Sequence, residues 1–345
     1  MDWEEHEKRI RIECESNGKT EEYVEKLIAY SKKLFIKGLP VITTPSHFSM
    51  LVGVDHNYVC SMAVVPSRFY RDYKIKKSNG KERAISEPLP DLMFVQHWIL
   101  RNILEKCPVS KYAKAFVKKR TLKTNARFHR GQSVLVTLDV KDFFPSISFF
   151  DVFEIFKQMG YSEAVSRFLS NLCCYHNALP QGAPTSPYLS NLRMYLFDEE
   201  ISSYISSHRI RYTRYADDMT FSGDFDPHKL IRDVSEILYR HGFKLNKDKT
   251  RVARKNTRQE VTGIVVNEYM QIPRQKRKEI RQQVYYIRRF GLESHLNHIQ
   301  ETRGNYLNHL MGLINFSLFV NPRDEEMKSY SVYIRQLISS AKTED

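Results

Sequence analysis

No run of eighteen apolar residues occurs in this 345-residue chain, so the sequence predicts no membrane-spanning helix. The opening Met1-Asp2-Trp3-Glu4-Glu5-His6 is acidic and has none of the apolar core of a secretory signal. Cysteine is scarce: Cys14, Cys60, Cys107, Cys173 and Cys174 form no C-x-x-C pair and are odd in number. That pattern argues against a zinc site or a disulfide framework and for reduced thiols in a cytoplasmic protein. Internal repeats and low-complexity linkers are absent too. Acids are missing altogether from residues 115–138, where Lys118, Lys119, Arg120, Lys123, Arg127 and Arg130 accumulate.

What is present is positive charge. Lys and Arg outnumber Asp and Glu by 54 to 40, a formal net charge of +14, which points to a polyanionic partner, nucleic acid first. Residues 274–289 hold seven basic residues and one acid, Glu279. At about 100° per residue, Arg274, Arg277, Lys278, Arg281, Arg288 and Arg289 share one helical face and Ile280, Val284 and Ile287 a neighbouring one. Such a helix packs on a core and presents its charges to a phosphate backbone, or is a solvated surface helix.

The periodicities predict helices over residues 1–60, for example 21–36, and a β-hairpin over 68–87 with Asn79-Gly80 as its turn. A helix over 91–105 follows. Val134-Leu135-Val136-Thr137-Leu138 reads as a strand that delivers Asp139. Helices are expected over 150–174, 187–206 and 227–241, a strand over 261–269, and helices from 273 onward. Strands separated by long helices, with carboxylates at strand ends, imply an α+β fold with an antiparallel sheet.

Residues 210–223, Ile-Arg-Tyr-Thr-Arg-Tyr-Ala-Asp-Asp-Met-Thr-Phe-Ser-Gly, read as a tight hairpin carrying Asp217 and Asp218 at its tip, with Gly223 ending it. Two adjacent carboxylates repel unless a cation lies between them. Oxygen-only ligands of this kind suit magnesium. An acidic surface turn would explain Asp-Asp alone, but the flanking aromatic and β-branched residues argue for a buried hairpin. Asp139 supplies a third carboxylate if folding brings it close. Three carboxylates around two magnesium ions are the machinery of in-line phosphoryl transfer.

Four segments in order, Asp139 with Phe143-Phe144, Gln181-Gly182-Ala183-Pro184-Thr185-Ser186-Pro187, Tyr215-Ala216-Asp217-Asp218, and Gly242-Phe243-Lys244-Leu245-Asn246-Lys247-Asp248-Lys249-Thr250, resemble the palm motifs of reverse transcriptases. Asn125-Ala126-Arg127-Phe128-His129 fits N-A-x-x-H and Val261-Thr262-Gly263 fits V-T-G, the patterns that mark bacterial retron reverse transcriptases. The resemblance covers roughly residues 39–322.

It implies a right-hand fingers–palm–thumb polymerase with an antiparallel palm sheet and a helical thumb. The expected divisions are a helical extension over 1–60, fingers over 61–133, palm over 134–270 with a fingers insertion at about 150–180, and thumb over 271–345. Asp139, Asp217 and Asp218 would be the catalytic ligands of two Mg2+ ions. Phe143 and Phe144 would contact the nucleotide, Phe144 as the steric gate against a ribose 2′-hydroxyl. Gln181 and Gly182 would touch the templating pair and the incoming nucleotide, and Lys249 would lie near the triphosphate. Arg83 would grip the triphosphate, with Lys74, Lys76 and Lys77 as weaker candidates. Asn125, His129, Val261, Thr262 and Gly263, with Arg274, Arg277, Arg281 and Arg288 of the basic helix, would bind RNA.

The resemblance further implies a cognate structured non-coding RNA that is primer and template, its DNA product branched from a 2′-hydroxyl, dNTPs, an effector protein, host ribonuclease H and a role in antiviral defence. The 75 residues from 271 to the end are too few for a fused nuclease domain of about 100 residues or more. Alternatives are a reverse transcriptase of a group II intron or another defence system, a catalytically inactive RNA-binding scaffold, and an RNA-dependent RNA polymerase, which would want a small or polar residue in place of Phe144.

Overall fold

The computed structural model describes residues 2–76, 80 and 82–341. Four helices open the chain: α1 (Trp3–Ser16), α2 (Glu21–Ile36), α3 (Pro45–Val52) and α4 (His56–Val64). Side-chain caps at Thr20, Thr44 and Asp55 start the last three. The hairpin β1 (Tyr70–Lys76) and β2 (Glu82–Pro88) follows, then α5 (Pro90–Asn102) and α6 (Leu122–Phe128). Asn79 of the expected turn, and Lys77 beside it, lie outside the described residues. Next come β3 (Val134–Asp139), α7 (Phe149–Met159), α8 (Glu163–Cys173), α9 (Ser186–Arg193) and α10 (Tyr195–Ser206). The chain continues through β4 (Arg211–Tyr215), β5 (Asp218–Gly223), α11 (Pro227–Arg240), β6 (Arg251–Arg254), β7 (Glu260–Val261) and β8 (Ile264–Val265). Helices α12 (Arg274–Phe290), α13 (Leu292–His298), α14 (Tyr306–Val320) and α15 (Glu325–Ala341) complete it.

Two compact units are formed. The first comprises Met1–Val117, Val140–Ser203 and Val234–Leu245. Its core is aromatic and aliphatic: the Phe48 ring meets the rings of Trp98 and Phe168 edge-on at 5.3 and 5.6 Å. Leu92, Val95 and Ile99 of α5 are buried. The buried Gln96 amide donates to the Tyr70 hydroxyl and to the Leu172 carbonyl, so its polar end is not left bare.

The second unit comprises Lys118–Asp139, Tyr204–Asp233 and Asn246–Asp345. Its four-stranded antiparallel sheet runs β4-β5-β3-β6. The predicted α+β class is therefore observed, with the sheet antiparallel throughout. Beside the sheet, Val261 and Ile264 join Ile280, Val284 and Ile287 of α12, Leu310 and Ile314 of α14, and Met327 and Ile334 of α15 in one buried cluster. The apolar face read for α12 is the buried one. No helix among the described residues is long and apolar enough to cross a membrane.

Two expectations need correction. The helix expected over 187–206 is two helices, α9 and α10, separated at Met194. The strand expected over 261–269 is a miniature hairpin, β7 and β8, because Thr262 and Gly263 both take positive φ, 46° and 83°. Two consecutive left-handed residues are what the tightest hairpin turn requires. Threonine is an uncommon occupant, since its branched Cβ crowds the backbone there.

Candidate active site

Asp139 ends β3 at the centre of the sheet, and the strand register sets it opposite Asp218, which begins β5. Tyr215 of β4 lies opposite Asp218 from the other side, so Ala216 and Asp217 form a two-residue turn. One carboxylate oxygen from each of Asp139, Asp217 and Asp218 lies within 4.8 Å of the others. Folding has brought the distant third acid to the pair.

The electrostatics of the cluster are those of a cation site. Asp139 is buried; its Oδ2 accepts from Lys249 Nζ at 2.6 Å and its Oδ1 from Asn246 Nδ2 at 2.9 Å. Burial, and then the charge of Asp139, raise Asp217 above the ordinary carboxylate range. Asp218 reaches the surface yet is hemmed in by protein, and burial followed by the charges of Asp217 and Asp139 pushes it up to about 7. Lys249 is pulled down by burial, but its bond to Asp139 and the three negative charges outweigh this and hold it above its usual value. Three carboxylates share a single ammonium, which leaves negative charge for a divalent ion to neutralise.

A polar scaffold positions the Asp217–Asp218 hairpin. Ala216 is left-handed, at φ 58°, where glycine is the usual residue. The guanidinium of Arg214, fully buried, donates from Nη1 to the Ala216 carbonyl at 3.1 Å. Further down the strands, the buried His129 imidazole bonds the Ser222 hydroxyl of β5 through Nδ1 and the Thr213 hydroxyl of β4 through Nε2, both at 2.7 Å. Thr213 Oγ1 donates onward to Asn125 Oδ1 at 2.5 Å. Asn125 and His129, expected on the RNA surface, are 0% exposed. That reading is corrected: these side chains tie α6 to the two strands of the hairpin and cannot touch RNA without unfolding it. Val261 is likewise core, at 0%, whereas Thr262 and Gly263 beside it are partly exposed.

In the first unit, the Gln181 carbonyl accepts from the Ser86 backbone N–H of β2 at 3.0 Å. Gly182 passes so close that a Cβ would lie 2.5 Å from the Ser86 carbonyl oxygen. The loop 177–185 and the strand bearing Arg83 are thereby held together. Arg83 itself is exposed, and Lys74 pairs with Glu82 at 2.8 Å. Phe143 is 4% exposed and packs near Phe243, so its ring is core and not a nucleotide contact; Phe144 beside it is only half-buried.

The basic face of α12 is less bare than its sequence suggests. Arg277 bonds Asp324 and Glu326, Arg281 bonds Glu326, and Arg288 lies 5.4 and 4.7 Å over the rings of Tyr330 and Tyr333. The compensating acids come from α15 and the turn before it, about fifty residues away, where a wheel of α12 could not reveal them. Arg274, Lys278 and Arg289 stay exposed. Sequence reasoning also missed Asn246, whose backbone N–H and side chain both hold Asp139. It missed Arg214, Thr213 and Ser222 as well, since nothing in a strand sequence marks a buried polar partner.

Residues 75–281 match the family model described as "Reverse transcriptase (RNA-dependent DNA polymerase)". The chain belongs to the reverse transcriptase family. Within it, the chain is 35% identical to the retron Ec86 reverse transcriptase of Escherichia coli over 76% of its own length and 83% of that protein. It is 39% identical to the retron Mx162 reverse transcriptase of Myxococcus xanthus over 57% of its length, which spans 47% of that protein. The retron Mx65 reverse transcriptase of the same organism is 31% identical over 84% of this chain and 71% of its own. Among solved structures, a foamy viral protease–reverse transcriptase in complex with double-stranded DNA aligns with 79% of this chain at 15% identity and a TM-score of 0.43.

This reverse transcriptase is thus an RNA-directed DNA polymerase of the retron type. Its family works with a divalent metal, and Asp139, Asp217 and Asp218 form a donor set of hard oxygen atoms with uncompensated charge that can hold one.

Proposed function

We propose that the chain copies part of a cognate structured RNA into single-stranded DNA joined to a 2′-hydroxyl of that RNA, as one component of an antiviral defence system with a separately encoded effector and with host ribonuclease H trimming the template. The observation that carries the polymerase chemistry is the convergence of Asp139, Asp217 and Asp218 at the ends of the sheet's central strands, within 4.8 Å of each other.

In this reading the three carboxylates hold two Mg2+ ions. When bound, the ions supply the positive charge that favours an attacking hydroxylate and a departing pyrophosphate. The chain's own groups do the rest. Asn246 and Lys249 fix both oxygens of Asp139, so this carboxylate has one orientation. Lys249, tethered there, keeps a positive charge available to the triphosphate. Arg83 holds phosphate by its planar fork, with Lys74 nearby in the same hairpin. Gln181 and Gly182 line the nucleotide, and the half-buried Phe144 ring excludes the ribose 2′-hydroxyl. Thr262, Gly263, Arg274, Arg277, Arg281 and Arg288 belong to the RNA-facing side. The divisions are the extension over 1–60, fingers over 61–133, palm over 134–270 and thumb over 271–345.

The test is Mg2+-dependent dNTP incorporation on the RNA that copurifies with the protein. Asp217→Asn with Asp218→Asn should abolish incorporation while RNA binding persists, and normal synthesis by the double variant would end the assignment. Joining of the DNA through a 2′–5′ linkage, read by debranching of the product, separates the retron reading from other bacterial reverse transcriptases.

A further inference from the structure

A cavity of about 270 Å3 opens beside the carboxylates, wholly within the second unit, lined by Thr137, Asp218, Lys249, Arg251, Arg258 and Glu260 among others. Its place follows from strand register. Thr137 lies opposite Thr220 on one side and Arg251 on the other, two residues before Asp139, which lies opposite Asp218. Residues paired across strands, and residues two apart along one strand, project from the same face. Arg251 therefore stands on the face that carries the acids, one strand over from Asp139 (about 4.8 Å) and one pleat down (about 7 Å). The β7–β8 turn, Thr262 and Gly263, supplies another part of the wall.

The charges of this cavity are unevenly committed. Lys249 is tied to Asp139 at 2.6 Å, and Arg258 faces Glu260 at 3.3 Å. Asp218 belongs to the set that can hold a metal. Arg251 is exposed and has no ion-pair partner among the described residues. One unspent guanidinium beside the reacting centre, with a second that is 60% exposed and loosely paired, suits a phosphate, which accepts two parallel bonds from such a fork. The space is smaller than whole-ligand pockets of about 300–1,000 Å3. It suits a phosphodiester with its sugar better than a complete nucleotide.

Initiation from a 2′-hydroxyl demands such a site. In that step the 2′-oxygen attacks the α-phosphorus of a dNTP. The new O–P bond forms, the bond to the bridging oxygen of pyrophosphate breaks, and the hydroxyl proton passes to water. The attacking ribose lies inside an RNA chain, so its neighbouring 3′-oxygen already carries a phosphodiester that must be lodged close to the acids. An ordinary primer end has a free 3′-hydroxyl and no such phosphate. We infer that Arg251, assisted by Arg258, binds the 3′-phosphodiester of the branching nucleotide, and that this contact serves the first nucleotide addition alone. The inference rests on the branch-priming reading of the chain and deepens it, giving initiation a contact that extension does not use.

Initiation is read as 2′–5′-linked product on the copurifying RNA, and extension as dNTP addition to a DNA primer with a free 3′-hydroxyl on an RNA template. Arg251→Gln should lower the ratio of initiation rate to extension rate about tenfold. Arg251→Lys, which keeps the charge but not the fork, should recover part of it. The position is exposed on the edge strand β6, so the fold tolerates both changes. A second readout needs no synthesis: fluorescence anisotropy compares a short RNA ending in a 3′-phosphate with the same RNA ending in a 3′-hydroxyl. The wild type should prefer the phosphate about fivefold. Arg251→Gln should erase that preference, and Arg289→Gln, at an exposed arginine of α12, should keep it. An unchanged ratio in Arg251→Gln, or equal affinity of the wild type for the two RNA ends, overturns the inference while branched DNA still forms. A raised KM for dNTP in extension would assign Arg251 to the incoming triphosphate and overturn it equally. Absence of branched product from the wild type, with the phosphate preference intact, would end the branch-priming reading and leave Arg251 as a phosphate site.

Discussion

Replacing His129 by alanine separates a residue that touches RNA from one that holds the catalytic hairpin. The imidazole makes two 2.7 Å bonds, to Ser222 of β5 and Thr213 of β4, and all three groups are at most 1% exposed. Losing the Ser222 bond strands a buried hydroxyl, at about 1–3 kcal/mol, Thr213 is left with its bond to Asn125 alone, and the missing ring leaves a void that adds to this. The expected loss is therefore about 3–5 kcal/mol, against a typical total of about 5–15 kcal/mol. Denaturant unfolding reads the loss, and amide hydrogen exchange should rise over 211–223, the strands the imidazole bridges. A cycle with Ser222→Ala should give a coupling of about 1 kcal/mol or more, because the two groups share one bond. DNA synthesis should fall with the hairpin's order while the exposed arginines still hold RNA. If His129→Ala unfolds at the wild-type denaturant concentration and loses RNA affinity instead, the buried network is the wrong account.

Arg277 and Arg274 lie on one face of α12 but should behave differently. Arg277→Ala takes the cation from the 7%-exposed Asp324, leaving it the Met327 N–H, and should destabilise by about 3 kcal/mol, whereas Arg274→Ala should leave stability unchanged and lower the salt dependence of RNA binding by about one ion; equal effects on stability would refute the distinction. Asp218 has its folded value raised to about 7, so the protonated form is favoured by folding. Its contribution is present in full below its ordinary pKa of about 3.9 and is lost as pH rises through about 7. Metal-free protein should thus lose thermal stability as pH rises over that window, Mg2+ should restore it, and Asp218→Asn should flatten the profile; a flat wild-type profile in chelator would contradict the charge balance drawn here. Gly182→Ala drives a Cβ to 2.5 Å from the Ser86 carbonyl at φ 142°, and primer extension should collapse with RNA binding retained; wild-type extension would show that the loop yields freely. Phe144→Ala should relax discrimination against ribonucleotides, whereas Phe143→Ala, a cut into the core, should lower stability and leave sugar selection unchanged.

The sequence made three of the sheet's four strands and its acids legible because these depend on short-range signals, whereas β6, a four-residue strand, was not read. A β-branched run ending in Asp139 and a hairpin with Asp217 and Asp218 at its tip can be read from alternation and turn chemistry alone. The helix 21–36 was legible for the same reason, with Thr20 as its cap. The errors share a different cause. A wheel of α12 sees only its own residues, so Asp324 and Glu326, which neutralise Arg277 and Arg281, were invisible. Asn125 and His129 were assigned to RNA through the resemblance of N-A-x-x-H, and no local pattern announces that Thr213 and Ser222, more than eighty residues on, will receive them. The 261–269 run reads as a strand until Thr262 and Gly263 turn left-handed, and threonine gives little warning of that.

Why the support of the catalytic hairpin is polar follows from what the hairpin carries. Asp217 and Asp218 repel each other and Asp139, and without a cation the cheapest relief is for the turn to shift and let the acids part. An apolar underside resists such a shift poorly, because apolar contacts have no direction and tolerate sliding. Hydrogen bonds do have direction, and a fully buried chain of them admits one arrangement at low cost and penalises the rest. The Arg214 bond to the Ala216 carbonyl fixes the turn itself, and the chain Ser222–His129–Thr213–Asn125 fixes the two strands below it against α6. On this hypothesis the network keeps three acids converged before any metal arrives. It follows that His129→Ala should lower the affinity of the protein for Mn2+, measured by electron paramagnetic resonance, although the imidazole bonds the strands at Thr213 and Ser222, each four residues along the chain from an acid. An unchanged Mn2+ affinity in a correctly folded variant would mean that the strands alone hold the acids together.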